Sequence, residues 1–361
     1  MLTYIEDFIK RKPKKRISYA EYMDLVLYDP EYGYYMKNDM KIGREGDFIT
    51  TSNFSDIYGK LVAKWYAGFR HKFNLPAAIC EIGGGNGRFA KAFLDGWSQY
   101  SSSPISYTLI ETSAYHRKLQ SEELNGFKDV VQYKELGELG AFHGLIFSNE
   151  LFDALPVHVI EKRDGELFEV MITYCEGGLS EVLIPLERED IKAFVHVHRL
   201  TLSNGQRIEI PLEMENVIKT ISQSLVKGIV ITVDYGYTKN EWKAPARKDG
   251  SLRGYYSHQM YRDILQFPGR MDITSHVHFD ALIEQGEKYG LGFIEKHRQD
   301  EFFLKLGILD ELQENDDSNP FSEKSKQNRA IRNLIIPGGI SSAFHVIIQE
   351  KAIDACDQAF W

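Results

Sequence analysis

Ile79-Cys80-Glu81-Ile82-Gly83-Gly84-Gly85-Asn86-Gly87 reads as an apolar strand carrying an acid, followed by a turn whose glycines recur at Gly83, Gly85 and Gly87. A turn this tight at the carboxyl end of a strand needs positive φ and close backbone approach, which only glycine supplies cheaply. It opens a helix at the usual ligand crevice of an open α/β sheet, and so points to a nucleotide-like cofactor. The dinucleotide fingerprint does not fit. Read from Gly83, G-x-G-x-x-G places Arg88 at the third glycine; read from Gly84, it requires a glycine where Asn86 stands.

One βα unit downstream, Tyr107-Thr108-Leu109-Ile110 is a short apolar strand ending at Glu111. Ribose-binding acids of Rossmann-like folds occupy this place, usually about 20 residues after the glycine turn, and Glu111 lies somewhat further on. NAD enzymes share the device, so the glycine pattern must discriminate. The run from Glu81 to Gly87 spells acid-x-G-x-G-x-G, the first motif of methyltransferases that use S-adenosylmethionine.

Strand and helix patterns alternate along the chain, which predicts a mainly parallel sheet covered on both faces. After the glycine turn, Phe89, Phe93, Leu94 and Trp97 share one helical face. Further strands are expected at 107–111, 130–133, 145–148 and 229–233, and a closing pair at 293–298 and 344–348. Residues 157–210 alternate apolar and polar side chains around Asp164-Gly165 and Gly177-Gly178, the pattern of an inserted β meander. Residues 238–276 are irregular and longer than an ordinary connection, so they read as a functional lid or a partly mobile loop. The expected fold class is therefore α/β: a Rossmann-like class I methyltransferase sheet with an N-terminal extension and an inserted β-rich segment. Residues 1–75 are expected to form a helical extension and cofactor lid, and 76–361 the methyltransferase domain, with 157–210 and 238–276 as its insertions.

A chain of 361 residues can bury a substantial core. Cys80, Cys175 and Cys356 are scattered and without ligand spacing, so a reduced compartment without structural zinc is expected. The amino terminus carries Glu6 and Asp7 where a signal or transit peptide would be basic, and no apolar run approaches about 18 residues. A cytoplasmic protein without membrane association is the expectation. The net charge of −9 argues against broad phosphate-backbone contact, so no nucleic-acid partner is expected.

Asn149-Glu150-Leu151-Phe152-Asp153-Ala154-Leu155-Pro156-Val157, preceded by a strand, resembles the signature of the methyltransferase family typified by the bacterial and slime-mould MidA proteins and a mitochondrial complex I assembly factor. Tyr28-Asp29-Pro30, Gly33-Tyr34-Tyr35, the run from Gly46 to Ser52, and Gly59 are similar to its amino-terminal block. Val233-Asp234-Tyr235-Gly236, Arg253-Gly254-Tyr255 and Asp272-Ile273-Thr274 resemble its later blocks. The resemblance runs in order from about residue 19 to 307. Two departures stand out: Gly84 occupies the place of a common proline, and Asn53-Phe54 that of Pro-Glu.

The resemblance implies S-adenosyl-L-methionine as cofactor and methyl transfer as activity. The chain's backbone at Gly83, Gly85 and Gly87 would approach the cofactor along its nucleoside and methionyl portion, and Glu111 would take the ribose hydroxyls. Glu81 would face the methionyl ammonium or order the turn, and Asn149 would line the methionyl side. Gly46, Asp47 and Phe48 with Thr50 and Ser52 read by themselves as a turn and helix cap; the resemblance implies a lid whose Phe48 covers the cofactor. Glu150 and Asp153 are the catalytic candidates, two carboxylates that could grip a guanidinium and accept its proton. The alternative keeps Glu150 in the pocket and makes Asp153 a cap. The mitochondrial relative implies a protein substrate with arginine as acceptor; a small-molecule methyltransferase and a non-catalytic cofactor-binding assembly factor are the alternatives. His196/His198 and His276/His278 form i, i+2 pairs without a third ligand, so no metal is expected.

Overall fold

The computed structural model describes residues 1–38, 56–314, 319 and 321–353. They fall into two compact units. Among the described residues, one comprises 1–38, Phe152–Ile218 and Gly236–Gln285, and the other 56–151, Lys219–Tyr235 and 286–353.

The second unit is built on seven strands: β1 (Ala78–Ile82), β2 (Ser106–Ile110), β3 (Val130–Tyr133), β4 (Phe142–Asn149), β5 (Leu225–Tyr237), β6 (Gly292–Arg298) and β7 (Phe344–Lys351). Their order is β6-β7-β5-β4-β1-β2-β3. The pairs β3/β2, β2/β1, β1/β4 and β4/β5 are parallel, whereas β7 runs antiparallel to both β5 and β6. This is the Rossmann-like methyltransferase sheet. The chain walks outward from β1 to β3 and then returns to the opposite side of β1 with β4. The order therefore reverses at β1, and the crevice beyond the carboxyl ends of β1 and β4 is the switch point where such sheets bind ligands.

Among the helices that dress this sheet are α1 (Ile57–Lys72), α2 (Arg88–Tyr100) and α3 (Ala114–Glu123). The aromatic face read in the sequence is the buried face of α2: Phe89, Phe93, Leu94 and Trp97 are all in the core. Phe89 stacks on Phe147 of β4 with centroids 4.2 Å apart and ring planes nearly parallel, and Tyr58 of α1 meets Phe89 edge-on at 5.4 Å. Gly59 lets α1 and α2 touch. A Cβ there would lie 2.7 Å from the backbone nitrogen of Phe93 and 2.8 Å from the carbonyl of Phe89. The side chain of Ser113 caps α3 by accepting from the His116 amide at 3.3 Å, satisfying a donor that a helix start leaves without a partner.

The first unit has its own core, with Ile5, Ile9, Ile17, Tyr22, Val159, Val170, Ile172 and Ile273 fully or almost fully buried. His158–Arg163, Glu166–Cys175 and Gly178–Pro185 form the antiparallel meander that alternation predicts. A helix, Glu189–Val197, then interrupts it before Arg207–Ile210 pairs back onto His158–Arg163. Residues 238–276 are not irregular throughout. Arg253–Tyr256 pairs antiparallel with both Gln259–Tyr261 and Asp272–Thr274. These strands are three or four residues long, too short for alternation to announce them.

Candidate functional site

The turn after β1 adopts the conformation its composition demands. Gly83, Gly85 and Gly87 have φ of 73°, 51° and 82°, all in the left-handed region. The amide of Gly83 donates to the carbonyl of Ile110 at 2.9 Å, and that of Gly87 to Gly84 at 3.0 Å. From α3, Gln120 Nε2 donates to the Gly85 carbonyl at 2.9 Å. Sequence reading did not single out Gln120. Its signal was present in principle, because Gln120 lies two helical turns after the cap Ser113, on the same face.

Glu111 comes to this turn. One carboxylate oxygen accepts from the Gly85 amide at 3.2 Å and the other from the Ser113 amide at 2.8 Å. Burial raises its pKa to about 7, against the downward pull of those backbone donors. A carboxylate at the end of β2, already fixed by two amides, is well suited to accept from a pair of vicinal hydroxyls.

Glu81 is deeper, only 4% exposed. Burial pushes its pKa to about 8, opposed by a 2.6 Å hydrogen bond from the Tyr107 hydroxyl and reinforced by Glu111. The Tyr107 bond holds the Glu81 carboxyl between β1 and β2. Sequence reading took Tyr107 only as strand core.

At the end of β4, Glu150 has φ of 53°, a left-handed backbone at a residue with a side chain. Such a conformation costs about 1–3 kcal/mol and persists where the surroundings impose it. The surroundings here include a 2.9 Å hydrogen bond from the Glu150 amide to the Val233 carbonyl of β5, while Asn149 Nδ2 donates to Glu150 Oε1 at 3.0 Å. Asn149 Oδ1 and Ser148 Oγ are buried with no hydrogen-bond partner among the described residues. Orphaned acceptors beside a glycine turn and an acid at the neighbouring strand end form a donor and acceptor set that fits a nucleoside with an amino-acid tail.

Asp153 belongs to the first unit and is 2% exposed. Its carbonyl accepts from the Ser275 amide at 2.9 Å. The next residue, Ala154, accepts from the Tyr28 hydroxyl at 2.9 Å, and Tyr28 packs against Tyr35, whose hydroxyl donates to Asp272. The Tyr28, Asp153 and Asp272 blocks, separate in sequence, thus meet in one buried cluster. Gly46, Asp47, Phe48, Thr50 and Ser52 lie outside the described residues.

His276 and His278 pack against aromatic rings, whereas His198 meets Glu284 at 2.7 Å and His196 is exposed. His276 stacks on Tyr237 with centroids 4.4 Å apart, and His278 on Trp242 at 4.6 Å. Burial lowers their pKa values to about 4 and about 3. Among the described residues no group of three His, Cys, Asp or Glu is placed to hold a metal, and no helix is long and apolar enough to cross a membrane.

A family model described as "Putative S-adenosyl-L-methionine-dependent methyltransferase" matches residues 61–295. Mitochondrial protein arginine methyltransferase NDUFAF7 of Mus musculus is 29% identical over 83% of this chain and 72% of its own length. That of Danio rerio is 27% identical over 91% and 82%. A crystal structure from Burkholderia thailandensis bound to S-adenosyl-homocysteine superposes with a TM-score of 0.90 at 26% identity, covering 99% of this chain and 93% of that one. A native crystal structure from the same organism gives 0.87 at 25% identity, with the same coverage. These relatives correct one expectation: the curated proteins are named mitochondrial, so the reading of this chain as cytoplasmic does not stand.

Proposed function

The chain belongs to the S-adenosyl-L-methionine-dependent methyltransferase family, and from that premise we propose that it methylates a protein side chain, with an arginine guanidinium as the acceptor. The observation that carries the reading is Glu150, a carboxylate held at the end of β4 in a costly backbone conformation and aimed by Asn149. The names of the curated relatives, protein arginine methyltransferases, agree with it.

The cofactor supplies a methyl group activated by a positive sulfur, so the protein's task is to position the acceptor and exclude water. In this reading Glu111 accepts from the ribose hydroxyls, and the backbone of the Gly83, Gly85 and Gly87 turn comes close along the nucleoside and methionyl portion. Glu81 orders the turn from below through Tyr107, and Asn149 turns its buried Oδ1 to the methionyl side. Glu150 grips the acceptor guanidinium through charge-assisted hydrogen bonds and takes the proton that the nitrogen loses.

Incubation with labelled S-adenosyl-L-methionine and host lysate, followed by mass spectrometry of the labelled species, tests the proposal. Methylarginine in a protein is the expected result, abolished by Glu150→Gln while cofactor affinity survives. Label confined to small molecules would replace the protein acceptor with a small one. Cofactor binding without any label transfer would leave an assembly factor.

A further inference from the structure

The first unit holds a cleft of about 310 Å³ that the methyltransferase reading does not use. Its lining combines charged residues, among them Glu181, Arg207, Asp249, Arg253 and Arg262, with apolar Val159, Leu252 and Ile264 and with Tyr19. Every one of these residues lies in the first unit.

Half of the six charged lining residues are already committed. Glu181 takes a two-pronged grip from Arg207, at 2.8 and 2.6 Å, and accepts from the Tyr19 hydroxyl at 2.5 Å. Arg207 also reaches Glu161 at 2.7 Å. Glu209, which also lines the cleft, is buried under the Ser251 and Leu252 amides and the Ser251 hydroxyl. Gly250 makes that arrangement possible: its φ is 69°, and a Cβ there would run into the Glu209 carboxylate. The Arg207 amide donates to the Lys248 carbonyl at 2.7 Å, which fixes the same rim.

Three groups remain on this fixed rim. Arg253 is anchored through Nη1 to the Leu252 carbonyl at 2.5 Å and through Nη2 to the Gly250 carbonyl at 3.5 Å, which leaves further guanidinium N–H groups. The side chains of Arg262 and Asp249 are exposed and have no hydrogen-bond or ion-pair partner among the described residues. Two cations and one anion in a cleft also lined by Val159, Leu252 and Ile264 match a zwitterion with an apolar tail. A doubly charged anion fits less well, because Asp249 and the Glu181 carboxylate would repel it.

We propose that this cleft binds an α-amino acid with an apolar side chain. Arg253 and Arg262 take its carboxylate, Asp249 its ammonium, and Val159, Leu252 and Ile264 its side chain.

Calorimetry on the full chain with L-leucine, 4-methylpentanoate and isoamylamine tests each part, because the second probe lacks the amine and the third the carboxylate. Leucine is expected to bind saturably, and each truncated probe about tenfold more weakly, the weight of one charge-assisted contact. Arg262→Gln should weaken leucine about tenfold. Asp249→Asn should make leucine and 4-methylpentanoate equivalent. Both positions are exposed, and unchanged thermal melts would certify folding. No saturable leucine binding, or binding that neither substitution alters, would overturn the proposal. Neither result bears on methyl transfer, because binding alone is read.

Discussion

The hydroxyl of Tyr107 on β2 donates a 2.6 Å hydrogen bond to the buried carboxyl of Glu81 on β1. The folded state raises the Glu81 pKa from an ordinary 4.5 to about 8, chiefly by burial. Between those values the native chain holds a proton that the unfolded chain has released. The stability this contributes is fully present below pH 4.5 and is lost as pH rises through about 8. Glu81→Gln keeps an acceptor for Tyr107 and removes the titration. Thermal melts of the cofactor-free protein should show wild type losing stability from pH 5 to pH 8 more steeply than the variant; parallel curves would refute this.

Glu111, raised to about 7 by burial, is expected to couple cofactor affinity to pH. Its ionised form is the better acceptor for ribose hydroxyls. Wild-type affinity for S-adenosyl-L-methionine should therefore rise from pH 6 to pH 8, whereas Glu111→Gln should bind about tenfold more weakly at pH 8 and show a flatter profile. Equilibrium titration at the two pH values checks both.

Glu150 carries backbone strain together with its proposed chemistry. Glu150→Gly relieves the left-handed conformation and should raise stability by about 1 kcal/mol while abolishing methyl transfer. A denaturant midpoint that falls in the glycine variant would show that side-chain contacts outweigh the strain.

Gly59 permits the contact of α1 with α2, and the atoms a Cβ would strike include backbone, which cannot swing aside. Gly59→Ala is expected to cost about 1–3 kcal/mol, seen as a lowered melting temperature. An unchanged melting temperature would mean that the two helices separate freely.

The strands of the second unit were legible because they are apolar runs bounded by turn residues, and the glycine turn because its spacing allows few conformations. Glu111 was legible by position alone. What escaped was set by partners distant in sequence. Tyr107 reads as core until the β1/β2 register brings it beside Glu81, and the short strands at 253–256, 259–261 and 272–274 are held by each other rather than by local propensity. The left-handed backbone at Glu150 had no sequence signal, since glutamate does not favour it. The acid pair was read as one motif, yet Glu150 and Asp153 fall in different compact units.

The antiparallel β7 lies between β5 and β6, although both precede it in the chain. On a translating ribosome, one edge of β5 and the whole of β6 must therefore wait for residues 344–351 to emerge. Until then the nascent chain carries bare strand edges, the surface on which unfinished polypeptides associate. Synthesis is consequently a period of exposure that ends only when residues 344–351 slide between two neighbours already made.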